Sequence, residues 1–91
     1  MNDLIPERVF LKNLALIRER ITSACAVCGR SPSEVRVLPV TKTFPLGAAE
    51  YALRNGYPVV GENRVQEALS KMEAAPSDLQ WEFILYIFIC F

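Results

Sequence analysis

Three short apolar runs, set apart by segments of helical pattern, constrain this chain more than any other feature. The first run is Val35-Arg36-Val37-Leu38-Pro39-Val40-Thr41-Lys42 and the second is Tyr57-Pro58-Val59-Val60-Gly61. The third opens at Trp81-Glu82-Phe83-Ile84. Ahead of them, Phe10, Leu14, Ile17, Ile21, Ala24 and Cys28 recur at steps of four and three, which is one face of a helix. Pro6 suits its first turn and Gly29 its stop, so a helix is predicted over about residues 7–28. Ser31-Pro32-Ser33-Glu34 has the form of a capping box with room for one turn only. A second helix is predicted over 46–54, between Phe44-Pro45 and the left-handed stop Asn55-Gly56. A third follows Asn63 as its cap, with Val65, Ala68, Leu69 and Met72 as the apolar stripe, and 74–78 is a loop.

The order helix, strand, helix, strand, helix, strand with short connections predicts right-handed crossovers and a parallel sheet. The expected fold class is α/β, with about three parallel strands behind an N-terminal helix. Pro39 removes one ladder hydrogen bond from the first strand. Parallel sheets bury both faces, and three helices cover three strands poorly. Such a chain is either a piece of a larger α/β fold or one that borrows surface from a partner.

Composition narrows the function classes. Ten basic residues balance ten acidic ones, so no basic excess exists to neutralise nucleic-acid phosphates or an anionic membrane. The absence of His excludes imidazole catalysis and His-ligated zinc within these residues. Cys25 and Cys28 form a C-x-x-C, but at the end of a predicted helix, where the dipole does not favour a thiolate. Two small side chains on a core face account for them better. With Cys90 the cysteines number three, and the N-terminus shows no basic region leading into an apolar stretch. A reducing cytoplasm is the expected location. The apolar run 83–91 falls far short of the roughly 20 residues of a membrane-spanning helix.

Two places carry candidate chemistry. Lys42 stands at the C-terminal end of an otherwise apolar strand, where parallel α/β folds place reactive groups. Alternation puts it on the face of Leu38 and Val40. Apolar surroundings disfavour an ammonium relative to the free amine, and free lysine amines form Schiff bases with aldehydes. The plainer alternative is a lysine that snorkels out at a strand end. Gly61-Glu62-Asn63 closes the second strand at the corresponding end, so it should share a rim with Lys42. There Gly61 permits close approach of a ligand and Asn63 offers a donor and an acceptor; the plainer alternative is a strand-to-helix turn with an Asn cap. Lys12 and Lys71, on predicted helices, should be solvated and unreactive.

Four motifs, in order, resemble one family. Val40-Thr41-Lys42-Thr43 resembles the lysine motif of the pyridoxal phosphate homeostasis proteins, relatives of the alanine racemase N-terminal domain. Gly61-Glu62-Asn63-Arg64-Val65-Gln66-Glu67 is similar to that family's Gly-Glu-Asn-x-x-Gln-Glu segment. Cys28-Gly29-Arg30-Ser31-Pro32 resembles its helix-to-turn junction, and Trp81-Glu82-Phe83-Ile84 its Trp-His-Phe-Ile strand, with Glu82 in place of His. The resemblance implies a partial (β/α)8 barrel over 1–84. It also implies pyridoxal 5′-phosphate held on Lys42 as an aldimine with Asn63 nearby, and a role in buffering the cofactor without turnover. Its implied partner is thus the small-molecule cofactor, not nucleic acid or a membrane, and full-length relatives are implied to be monomers. The expected Gly-x-Leu-Gln-x-Asn-Lys is absent after Ile84, and 85–91 reads as an aberrant apolar tail of the kind a frameshift or early stop produces. The isolated chain is accordingly expected to be impaired in binding, and aggregation-prone or self-associating. The alternatives are a fragment with no site, or a racemase or decarboxylase relative, which would need a second acid or base facing the cofactor.

Overall fold

A computed structural model describes residues 2–84; the tail expectation for 85–91 lies outside the described residues. The elements run α1 (Glu7–Cys28), a single 3-10 turn (Pro32–Glu34), α2 (Leu46–Arg54), β1 (Val59–Glu62), α3 (Val65–Met72) and β2 (Gln80–Phe83). The fold is therefore a small α/β arrangement with two parallel strands. No helix among the described residues is long and apolar enough to cross a membrane.

The chain divides into two compact units. The first, residues 5–37, holds α1 and the 3-10 turn. Gly29 ends α1 in the left-handed conformation, φ +72°, and the N–H of Arg30 returns to the carbonyl of Cys25 at 2.9 Å. Ser31 caps the 3-10 turn, accepting from the Ser33 N–H at 3.3 Å, while the Glu34 carboxylate takes the Ser31 N–H at 3.1 Å. That is the reciprocal box its spacing predicted. The stripe expected on α1 is covered only in part. Ile17, Ala24 and Cys28 are exposed, Phe10, Leu14 and Ile21 half-buried, and Cys25 is the helix's buried residue.

The second unit holds the sheet. β1 and β2 pair in parallel, Val59 opposite Gln80 through Glu62 opposite Phe83. Ala49 and Ala52 of α2, with Val60 and Leu79, form its core, and Leu46, Leu53, Tyr57, Ala75 and Trp81 pack around them. Small side chains on α2 let that helix lie close over β1. Helix and turn boundaries follow the sequence signals; the first strand does not. Where a strand over 35–42 was expected, the chain makes one parallel bridge, Val40 to Gly61. The Gly61 N–H donates to Pro39 O and the Thr41 N–H to Gly61 O, each at 2.9 Å. Proline at 39 has no N–H to offer, and the chain turns immediately after Thr41, so the ladder stops at one rung. The sheet thus has two strands and a bridged third segment, where about three strands were expected. The three segments nonetheless lie in chain order, because Gly61 bridges Val40 on one side and pairs with Glu82 on the other.

Candidate functional site

Lys42 lies just past the bridged Val40, at the second position of a four-residue turn. The Phe44 N–H closes that turn on the Thr41 carbonyl at 3.1 Å. Its third residue, Thr43, has φ +67°, a region that a β-branched side chain enters only under strain, at about 1–3 kcal/mol. Tertiary hydrogen bonds offset that strain. Asn2 donates its N–H to Thr43 O at 2.6 Å and its side-chain amide to Thr43 Oγ1 at 2.7 Å. The Thr43 N–H donates to Glu67 Oε2 on α3 at 2.7 Å.

Beneath the turn sits a buried ionic cluster. Lys71 Nζ reaches Glu62 Oε2 and Glu67 Oε2, each at 2.8 Å, and the Thr41 carbonyl at 2.9 Å. Three ammonium hydrogens meet three acceptors, so the lysine is saturated. Glu62 is fully buried, Lys71 is 6% exposed, and Thr41 adds its hydroxyl to Glu62 Oε2. The second oxygen of Glu62, Oε1, has no hydrogen-bond partner. The Lys71 ammonium holds the Glu67 carboxyl below the usual carboxylate range, the Thr43 N–H helps, and partial burial opposes both.

This cluster corrects three expectations. Lys71, expected in solvent, is buried and paired, because Glu62 on β1 and Glu67 one helical turn back converge on it. The face of α3 turned inward therefore carries Ala68 and Lys71, while Val65 and Leu69, expected to be buried, are exposed. Asn63 does not cap α3. Arg64 holds the cap position with no side-chain hydrogen bond, and Asn63 Oδ1 is buried without a partner. The C-x-x-C is likewise split: both cysteines are free thiols, Cys25 buried and Cys28 exposed.

The bridge register relates the two candidate binding residues. Val40 pairs with Gly61, so Lys42 and Asn63 each stand two residues beyond a bridged pair, at the C-terminal rim of neighbouring parallel segments. Thr41 and Glu62 meet on the helix side, which leaves the face of Val40 and Gly61 as the opposite one. On that side Gly61 leaves a tight slot, where an added Cβ would stand 2.9 Å from Ile84 Cδ1 and 3.5 Å from Leu38 Cδ2. The rim thus carries an amine, a buried unsatisfied carbonyl oxygen and a glycine against which Ile84 and Leu38 pack. Among the described residues no group of three or more His, Cys, Asp and Glu could hold a metal ion.

Sequence comparison bears on what this rim does. No protein-family model matches the chain. Curated relatives do. The pyridoxal phosphate homeostasis protein of Escherichia coli (strain K12) is 42% identical over 76 residues, covering 79% of this chain and 32% of that protein. Its namesake in Haemophilus influenzae is 39% identical over 75 residues, covering 79% and 32%. That of Aquifex aeolicus (strain VF5) is 40% identical over 74 residues, covering 80% and 32%. The chain spans about a third of the length of these relatives.

Proposed function

From its kinship with the pyridoxal phosphate homeostasis proteins, we propose that this chain holds pyridoxal 5′-phosphate at the rim of Lys42 and Asn63 and serves intracellular homeostasis of that cofactor. The observation that carries the reading is the pairing of register and chemistry. By the bridge register, a lysine on a strained, tightly held turn shares a rim with an asparagine whose buried carbonyl oxygen lacks a donor, the rim where parallel α/β folds bind ligands. The donor set fits the group. The cofactor would bring an aldehyde carbon for a carbon–nitrogen bond to the Lys42 amine, with loss of water, and a ring hydroxyl suited to an acceptor such as Asn63 Oδ1.

The chain's own residues divide the remaining work. Lys42 supplies the covalent partner and Asn63 orients, while Gly61 lets Ile84 and Leu38 close against the strand. The role is that of a carrier without turnover. With no His in the sequence, imidazole does not serve proton transfer of the racemase kind here. We read the two strands and the bridged segment as the opening units of a (β/α)8 barrel over 1–84. The protein is placed in the cytoplasm with the small cofactor as its partner, apart from nucleic acid and membrane. On this reading complete relatives act as monomers, while this chain by itself holds the cofactor less tightly and self-associates.

The test is reductive trapping. Borohydride reduction of the protein with pyridoxal phosphate, followed by peptide mapping, should label Lys42 ahead of exposed Lys12, and Lys42→Ala should remove that label. Equal label on Lys12 and Lys42 would defeat the reading.

A further inference from the structure

Lys42 is bracketed. The carbonyl of the residue before it, Thr41, is held by Lys71 Nζ at 2.9 Å. The N–H of the residue after it, Thr43, is held by Glu67 Oε2 at 2.7 Å. Lys71 and Glu67 are bonded to each other at 2.8 Å and lie one turn apart on α3, so a single helix fixes both flanks of Lys42. Glu62, fully buried on β1, anchors the same ammonium from the strand. A surface salt bridge would not need this arrangement. An ammonium with three acceptors in the interior, one of them a main-chain carbonyl of a turn, fixes backbone direction.

We propose that Lys71, with Glu62 and Glu67, is a positioning residue that sets the direction in which the Lys42 amine leaves its turn. The inference rests on the reading of Lys42 as the amine that meets the cofactor's aldehyde. Lys71 touches no ligand in this account. Its donor to Thr41 O keeps the turn from rotating about the 41–42 peptide, and through Glu67 it keeps Thr43 at positive φ. Without the cluster the Thr43 N–H loses its acceptor and the Asn2 contacts alone hold the turn, so Lys42 samples more directions, which lowers its rate of meeting a fixed carbonyl.

The experiment compares Lys71→Met, Glu67→Ala and Glu67→Gln with the parent chain and with Val60→Ala, a core change away from the cluster. Each is treated with pyridoxal phosphate and borohydride, and the label on Lys42 is divided by the label on exposed Lys12 in the same molecule. Thr43 amide exchange is followed in parallel. Lys71→Met and Glu67→Ala should lower the Lys42 to Lys12 ratio by roughly tenfold or more and speed Thr43 exchange. Glu67→Gln keeps an acceptor for the Thr43 N–H and should retain most of the ratio. If Lys71→Met does not fold, the Glu67 pair decides alone. Should Val60→Ala lower the ratio as much as the cluster variants, or should they leave it unchanged, positioning is overturned. If the parent chain shows no preference for Lys42, the cofactor reading fails instead. Positioning is then decided by acetic anhydride labelling of Lys42 against Lys12 in the same set, where a ratio unaffected by Lys71→Met or Glu67→Ala overturns it.

Discussion

A buried lysine between two acids makes the loss of either acid costly, for unequal reasons. Glu62 is fully enclosed and Glu67 is near the surface, with side-chain exposures of 0% and 14%. Glu62→Ala leaves an ammonium inside with its most secluded partner gone, and breaking such a pair from one side costs about 3–5 kcal/mol. Chemical denaturation should show that loss, whereas Glu34→Ala, which ends an exposed contact with Arg30, should cost less than about 1 kcal/mol. The acid limb belongs to Glu67. Its carboxyl is depressed when folded, so its contribution is complete above the unfolded value of 4.5 and is lost as pH falls through the lower folded value. The protection of the Thr43 amide, taken against its intrinsic rate at each pH, should therefore fall as pH drops below about 4.5, and Glu67→Gln should remove most of that fall. At this scale the sequence was half legible. Lys42 and Asn63 stood out from their place after apolar runs, but the cluster did not. Its one trace was the Glu67–Lys71 spacing of four, which on most helices is a solvated pair. Glu62 in an apolar strand looked like a strand end, because a third party on another element decides whether such a residue is buried.

At the scale of elements, stop signals were read more reliably than pairing. Pro6, Gly29, Pro45 and Gly56 bound α1 and α2 through local backbone chemistry alone, and those bounds stand. The segment 35–42 makes one rung and not a strand because ladder length depends on a neighbour, and Pro39 with the turn at 41–44 leaves room for no more. Gly61 shows the same dependence from the opposite direction. Nothing in its own backbone demands glycine, yet Ile84 closes over it from the segment after β2. Gly61→Ala should be absorbed by rotation of the Ile84 side chain at a cost below about 1 kcal/mol, since the clash is with a flexible end. Gly61→Val should cost about 1–3 kcal/mol in thermal or chemical unfolding, because branching fills the slot that Leu38 and Ile84 share.

For the whole molecule, apolar surface is unevenly covered. In the unit of residues 5–37, Leu11, Leu16, Ile17 and Val27 are exposed, Val27 at 91%. Among the described residues the buried apolar side chains of the other unit are Ala49, Ala52, Val60, Ala68 and Leu79. Three of those five are single methyl groups, so the burial available against the ordering cost of each residue, about 1.5 kcal/mol, is small. We expect a broad thermal transition, strong binding of a hydrophobic dye, and slow amide exchange confined to α2, α3 and β1. A sharp transition with α1 amides as protected as those of β1 would contradict this.

The register described for the sheet also decides where this chain can change length. Val40, Gly61 and Glu82 sit on one rung line, 61 − 40 = 21 and 82 − 61 = 21 residues apart. Each interval holds one helix and one crossing, so an indel must be absorbed before the next rung or it turns every following side chain over. One residue deleted from β1 ahead of Gly61 would bring Glu62 into the glycine's tight slot and out of reach of Lys71. The same deletion within 73–78, between α3 and Leu79, meets a loop that carries none of these contacts. Lineages of this chain should vary in length at 73–78 and be invariant in length from Val40 to Lys71.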